Sequence, residues 1–156
     1  MSKIDEREYW VPEHVREYLR SLGFEVVEAI DVLHELAENV ALVGGERSVL
    51  KDVIAGKAVA NVHEIVRLAT LQTEAETPAQ KLARQLMADP QTLVEALSSA
   101  GAVSSVEVGC GIVPLDAGER AWRESSGRLN EALASHAESV VRMECGLPCV
   151  LTPKDR

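Results

Sequence analysis

Aromatic side chains are scarce in this 156-residue chain: two Trp, two Tyr and one Phe, 3% of the total. A core built here must rest on Ala, Val, Leu and Ile. Cysteine is scarce as well. Cys110, Cys145 and Cys149 are odd in number and too few for a disulfide scaffold, so a reduced, cytoplasmic protein is expected. Long apolar runs are missing. The longest stretch without a charged residue, Ala96 to Val106, is 11 residues, whereas a bilayer-spanning helix needs about 18 or more. Met1-Ser-Lys-Ile-Asp-Glu-Arg-Glu has no apolar segment behind its charges, so no secretory signal is expected. Positive charge is short too: 16 Lys and Arg stand against 25 Asp and Glu, net −9. That excess speaks against a general nucleic-acid binder, which needs cations for phosphates.

What is present is a globular balance of 46% hydrophobic and 26% charged residues, which argues against disorder. The charge is uneven. Residues 1–40 carry 4 basic and 10 acidic side chains, so they hold −6 of the total −9. They also hold Tyr9, Trp10, Tyr18 and Phe24, four of the five aromatics. This acidic N-terminal stretch is compositionally distinct. It is either a partner-binding arm or, by a small margin, an extra helix and strand that complete the fold.

Apolar spacing and punctuation predict the elements. Pro12-Glu13 suits a first helical turn, Val15, Leu19 and Leu22 make a stripe, and Gly23 supplies a stop. Phe24 to Glu28 alternates like a strand. Ala29 to Asn39 returns to helical spacing, with Ile30, Leu33 and Ala37 on one side. Val40 to Val43 reads as a buried strand running into Gly44-Gly45, and Ser48 as the cap of a helix to Ala55. Residues 58–71 fit a helix or a strand entering Thr70. Thr77-Pro78 and Asp89-Pro90 start two further helices. Ala102 to Val108 is a predicted strand, residues 116–140 the clearest helix, and Val140–Glu144 with Cys149–Leu151 two closing strands. The alternation predicts one α/β domain over 1–156, a layered fold with a mostly parallel sheet flanked by helices.

The most specific run is Glu107-Val-Gly-Cys-Gly-Ile-Val-Pro114. It is followed by Arg120, Trp122, Arg123, Gly127-Arg128, Asn130, Leu133-Ala134 and Gly146-Leu-Pro148. This pattern resembles the C-terminal third of the bifunctional adenosylcobinamide kinase / adenosylcobinamide-phosphate guanylyltransferase family of cobalamin biosynthesis. That family carries Asn-Glu-Val-Gly-x-Gly-Ile-Val-Pro, then a helix with Arg-x-Phe-Arg-Asp-x-x-Gly-x-x-Asn-Gln-x-Leu-Ala, then Gly-Leu-Pro. Val106 stands for its Asn, Trp122 for Phe, Glu124 for Asp and Glu131 for Gln.

Upstream, Gly44-Gly-Glu-Arg-Ser-Val-Leu-Lys51-Asp52 is similar to the family's phosphate loop Gly-Gly-x-Arg-Ser-Gly-Lys-Ser, and Ala69-Thr70-Leu71-Gln72 to its Ala-Thr-x-Gln strand end. Val49 and Leu50 put bulk where the loop needs glycine. Asp52 puts a negative charge where a hydroxyl binds Mg²⁺. The chain is much shorter than the family between Thr70 and Glu107. No residue there matches the acidic metal-side strand or the guanylyl-carrying His, and His63 lies on the wrong side of the Ala-Thr match.

The resemblance implies a P-loop-like fold, shortened in the middle, in three stretches: the extension 1–40, a degenerate nucleotide-binding-like part 41–114, and a family-like helix and closing strands 115–156. It implies GTP or ATP with Mg²⁺ as ligand, a corrinoid partner and a homo-oligomer. Gly44, Gly45, Arg47, Ser48 and Lys51 would cradle phosphates, with Glu107, Gly109, Gly111, Arg120 and Arg123 supporting the site. No catalytic residue is assigned. Cys145 and Cys149 flank the Gly-Leu-Pro turn at a spacing wrong for a zinc knuckle, and the four His are scattered, so no metal site is expected. Two readings stand: a nucleotide-binding protein of this type with reduced or lost activity, or a non-catalytic interaction or assembly module descended from it.

Overall fold

The structure, a computed structural model, describes residues 13–38, 46–107 and 115–151. The predicted strand Val40–Val43, Gly44 and Gly45, and the loop holding Gly109 and Gly111 lie outside the described residues, as do the side chains of Arg47 and Ser48. Three short strands, β1 (Val26–Glu28), β2 (Ala58–Ala60) and β3 (Ala102–Val103), form a parallel sheet in the order β1-β2-β3. Val26 pairs with Ala58 and Ala58 with Ala102. The α/β layered fold with a parallel sheet flanked by helices is therefore present. All three residues of β2 are buried, as a central parallel strand covered on both faces requires.

Helix α1 (Glu13–Ser21) precedes β1 and α2 (Ala29–Glu38) follows it. Residues 13–38 thus supply the edge strand of the sheet and its flanking helices. Leu19 is buried in α1, while Leu22, expected on the same stripe, is 54% exposed. In α2 the buried face is Ala29, Val32, Leu33 and Leu36.

Helix α3 runs Glu46–Ile54, so Ser48 lies inside its first turn instead of capping it. Leu50 and Ile54 face the core. The ambiguous stretch 58–71 divides: β2 first, then α4 (His63–Thr70). The left-handed Asn61, φ 64°, makes the break between them. Ala69-Thr70 is thus the end of a helix and not of a strand. Burial of Ile65 and Val66 on one helical face decided what periodicity left open.

The two Pro-marked helices form as expected. In α5 (Pro78–Leu86) the Thr77 hydroxyl accepts from the Gln80 N–H, and in α6 (Pro90–Ala96) the Asp89 carboxylate accepts from the Gln91 N–H. Each cap satisfies a donor that the first turn leaves unpaired.

β3 is shorter than the predicted Ala102–Val108 strand. Past Val103 the Ser104 N–H still reaches Val59 O at 2.9 Å, but Val106 O turns to the side-chain amide of Asn130 at 2.8 Å. The chain leaves the ladder for α7 (Ala117–His136), capped by Asp116. That helix ends four residues before Val140, because Ala137 adopts an extended backbone.

α7 packs against α4 and α6, and α5 against α2 and α4. Among its core residues are Leu33, Ile54, Val59, Val66, Leu93 and Leu129. β4 (Val141–Glu144) and β5 (Leu147–Val150) form a separate antiparallel hairpin. Its loop, Cys145-Gly146, has positive φ at both residues, the geometry that matches strand twist in two-residue hairpins. Cys145 and Cys149 are exposed free thiols.

Candidate functional site

Ligands of open parallel sheets bind beyond the carboxyl ends of the strands. Here each of the three strands delivers a polar residue to that edge. Glu28 ends β1, Asn61 follows β2, and Ser104 follows β3. The Asn61 amide donates to Glu28 Oε2 at 2.9 Å, and the Asn61 backbone N–H donates to Ser104 Oγ at 2.9 Å. The next N–H, of Val62, reaches Ser104 O at 2.9 Å. Asn is one of the few side chains that tolerate left-handed backbone, and here that conformation lets one residue bridge both neighbouring strands.

Charge gathers around this bridge. Arg16 of α1 donates through Nε to Glu28 Oε1, and Glu28 in turn raises the Arg16 pKa. Glu64, in the first turn of α4, is pushed above the usual carboxylate range by burial and by the nearby Glu28 charge. His63 opens α4 and is 2% exposed. Among the described residues neither ring nitrogen has a hydrogen-bond partner. Burial lowers its pKa to about 4, so the ring is neutral at pH 7. A buried polar group without a partner is unusual and asks for a reason.

α7 closes the same edge. Trp122 Nε1 donates to His63 O at 3.4 Å, and the Arg67 guanidinium lies 4.3 Å from the centre of the Trp122 ring. Arg67 also pairs with Glu119 at 3.1 Å. The first turns of α7 are thereby fixed along α4, from His63 at its start to Arg67 in its last turn.

The expected site residues fall into two places. Glu107, which follows β3, is exposed and pairs with Arg142 of β4 at 3.5 Å. Arg120 donates to Leu115 O at 2.6 Å, and Arg123 is half-buried one turn on. Of these, Glu107 lies past the carboxyl end of β3. Lys51 lies elsewhere. It sits in the last turn of α3, and its carbonyl accepts from Ser99 Oγ at 2.6 Å. Gly56, five residues on, donates to Ser99 O just ahead of β2 and β3. Lys51 is therefore at the amino edge of the sheet.

The family model described as cobinamide kinase / cobinamide phosphate guanyltransferase matches residues 11–151. The chain belongs to this family. The match opens far upstream of Glu107 and takes in α1, β1 and α2. Comparison with curated proteins gives no match. Membership in the cobinamide kinase / guanyltransferase family supports a cobalamin-biosynthesis function of the nucleotide-binding, transferase-like kind.

Nucleotide-borne Mg²⁺ needs only one or two protein carboxylates besides phosphate and water. Glu28 and Glu64 are carboxylates that this edge offers, Glu28 with Arg16 and Asn61 already on its oxygens. Among the described residues no three His, Cys, Asp or Glu converge to hold an ion by themselves. No helix among the described residues is long and apolar enough to cross a membrane.

The Glu28, Asn61, His63 and Ser104 group was not found by motif reading. A signal existed: Val-Val-Glu28, Ala-Val-Ala-Asn61 and Ala-Val-Ser104 each end a short apolar run on a polar residue.

Proposed function

We propose that this member of the family binds a nucleoside triphosphate, GTP or ATP with its Mg²⁺, at the carboxyl edge of β1, β2 and β3. A corrinoid lies beside it, and kinase or guanylyl transfer is reduced or lost. The observation that carries this reading is the Glu28–Asn61–Ser104 bridge. It gathers a carboxylate, an amide and a hydroxyl from three strand ends at the place where parallel sheets take ligands. Glu28 and Glu64 would hold the cation, which polarises phosphate oxygens when bound. Asn61 and Ser104 keep the edge rigid, and Arg120 and Arg123 offer positive charge from α7. A homo-oligomer in the cytoplasm belongs to the same reading.

The position of Lys51 favours a second reading. A phosphate-loop lysine must reach the β- and γ-phosphates from the start of a helix, and Lys51 is in a last turn. An assembly module that has given up nucleotides accounts for that position.

Isothermal titration with GTP and ATP, each with and without Mg²⁺, separates the readings. The expected result is Mg²⁺-dependent micromolar binding that Asn61→Ala weakens about tenfold, or 1.4 kcal/mol, and that Lys51→Ala leaves unchanged. Loss on Lys51→Ala alone moves the ligand to Gly44–Lys51. No heat from any nucleotide leaves the assembly module.

A further inference from the structure

Both oxygens of Glu28 are engaged by donors of the chain itself. Oε2 accepts from Asn61, whose backbone is fixed by Ser104. Oε1 accepts from Arg16, which arrives on a different element. α1 has a light hold on the rest of the protein: Leu19 is its buried side chain, and it packs chiefly on β1. Within the helix, Glu13 receives Arg16 Nη1 at 3.0 Å and Arg20 Nη1 at 2.9 Å. The Arg16 and Glu28 side chains are each 24% exposed, so the pair is partly shielded and reachable from solvent.

A guanidinium and a divalent cation compete for the same thing, the lone pairs of a carboxylate. With Arg16 on Oε1 and Asn61 on Oε2, the guanidinium already sets a positive charge against the carboxylate that an ion would need. Glu64 beside it is half-buried, and Glu28 makes its ionisation harder. A cation arriving at this edge would neutralise both carboxylates and remove the need for Arg16.

We propose that Arg16 is a latch. Its guanidinium holds the place on Glu28 that a divalent cation takes, so cation binding at Glu28 and the Arg16 tether of α1 exclude each other. This rests on the carboxyl edge being the ligand site. It adds that α1 is held on Glu28 when the edge is empty and is released when it fills.

The probe is Mn²⁺, alone and with GTP, followed by calorimetry and by hydrogen exchange of residues 13–21. Arg16→Gln should tighten Mn²⁺ binding about tenfold and speed exchange in 13–21. Glu28→Gln should speed that exchange equally without any gain in Mn²⁺ affinity, and the double variant should behave like Glu28→Gln. In the unaltered protein, saturating Mn²⁺ should speed exchange in 13–21. If Arg16→Gln gains no Mn²⁺ affinity, or Mn²⁺ binds while α1 stays protected, the latch is overturned, whatever GTP does. If the Mn²⁺ and exchange results come out as expected but GTP never binds, the latch stands and the nucleotide reading fails. Arg16→Lys guards against a folding artefact. It keeps the charge and should give an intermediate affinity, whereas a variant affected only through misfolding would show a lowered melting temperature and no graded response.

Discussion

At the amino edge of the parallel sheet, backbone groups satisfy one another over short distances. Gly56 donates to Ser99 O at 2.9 Å, Gly101 to Lys57 O at 2.8 Å, and Ala58 to Glu25 O at 2.8 Å. At the carboxyl edge the ladder hands over to side chains: Glu28 to Asn61, Asn61 to Ser104, Arg67 to Glu119. There, too, a buried imidazole has no hydrogen-bond partner among the described residues. Both edges belong to the same strands, so strand chemistry does not explain the difference. One edge is arranged for close packing. The other carries desolvated polar groups at a stability cost, as the ligand site proposed there requires.

The sharpest way to break that comparison is through pH. His63 has an ordinary pKa of 6.5 that burial lowers to about 4 in the folded protein. Between those values the unfolded chain binds more protons, so stability rises with pH across the window. The contribution is fully present above pH 6.5 and is lost as pH falls to about 4, a swing of about 3 kcal/mol at most. Glu64 acts in the opposite sense, because its raised pKa favours the folded state at low pH and loses that advantage as pH rises. His63→Leu isolates the imidazole. Urea titrations at pH 7 and pH 4.5 should show a flatter pH dependence in the variant, with stability at pH 7 equal or higher because the unpaired nitrogens are gone. An unchanged pH slope would mean that the carboxyl edge stores no such cost.

The amino edge should fail by crowding. A Cβ added to Gly101 would lie 2.4 Å from Phe24 Cε1, 3.0 Å from Phe24 Cδ1 and 3.1 Å from Gly56 O. The Phe24 ring can retreat, but the backbone carbonyl cannot do so easily. Gly101→Ala should destabilise by about 1–3 kcal/mol, measured by the urea midpoint, with no pH dependence of its own. Placed in a Phe24→Leu background, the same substitution should cost less, since neighbouring sites couple. Equal costs in both backgrounds would remove the ring from the account.

Local punctuation made much of this fold legible. Thr77-Pro78 and Asp89-Pro90 began helices where expected, because a cap and a proline act within one turn. Cys145-Gly146 closed a hairpin between the two expected strands, the second of which starts at Leu147 and not at Cys149. Residues 58–71 stayed ambiguous because Ala58-Val-Ala is buried on both faces and shows no period. Only the left-handed Asn61 separates strand from helix there. The site was less legible. Glu107, Arg120 and Arg123 were marked by a contiguous motif, whereas Glu28, Asn61 and Ser104 lie 33 and 43 residues apart and meet only through sheet register. Lys51 shows the converse limit: a motif supplies spacing, but which edge of the sheet a helix end reaches is decided by topology.

The smallest expected effect tests how α7 holds the carboxyl edge. Trp122 does two things there: its ring lies under Arg67, and its indole N–H reaches His63 O at 3.4 Å. The family pattern has Phe at this place, which keeps a ring and removes the donor. A hydrogen bond this long is weak, so Trp122→Phe should cost about 1 kcal/mol or less. The Arg67–Glu119 pair should persist, because a Phe face still attracts a guanidinium. Trp122→Leu removes that attraction too and should cost more, by about 0.5–2 kcal/mol. If Phe and Leu are equally tolerated, the cation–ring contact contributes nothing, and α7 is fixed to α4 by the Arg67–Glu119 pair and core packing alone.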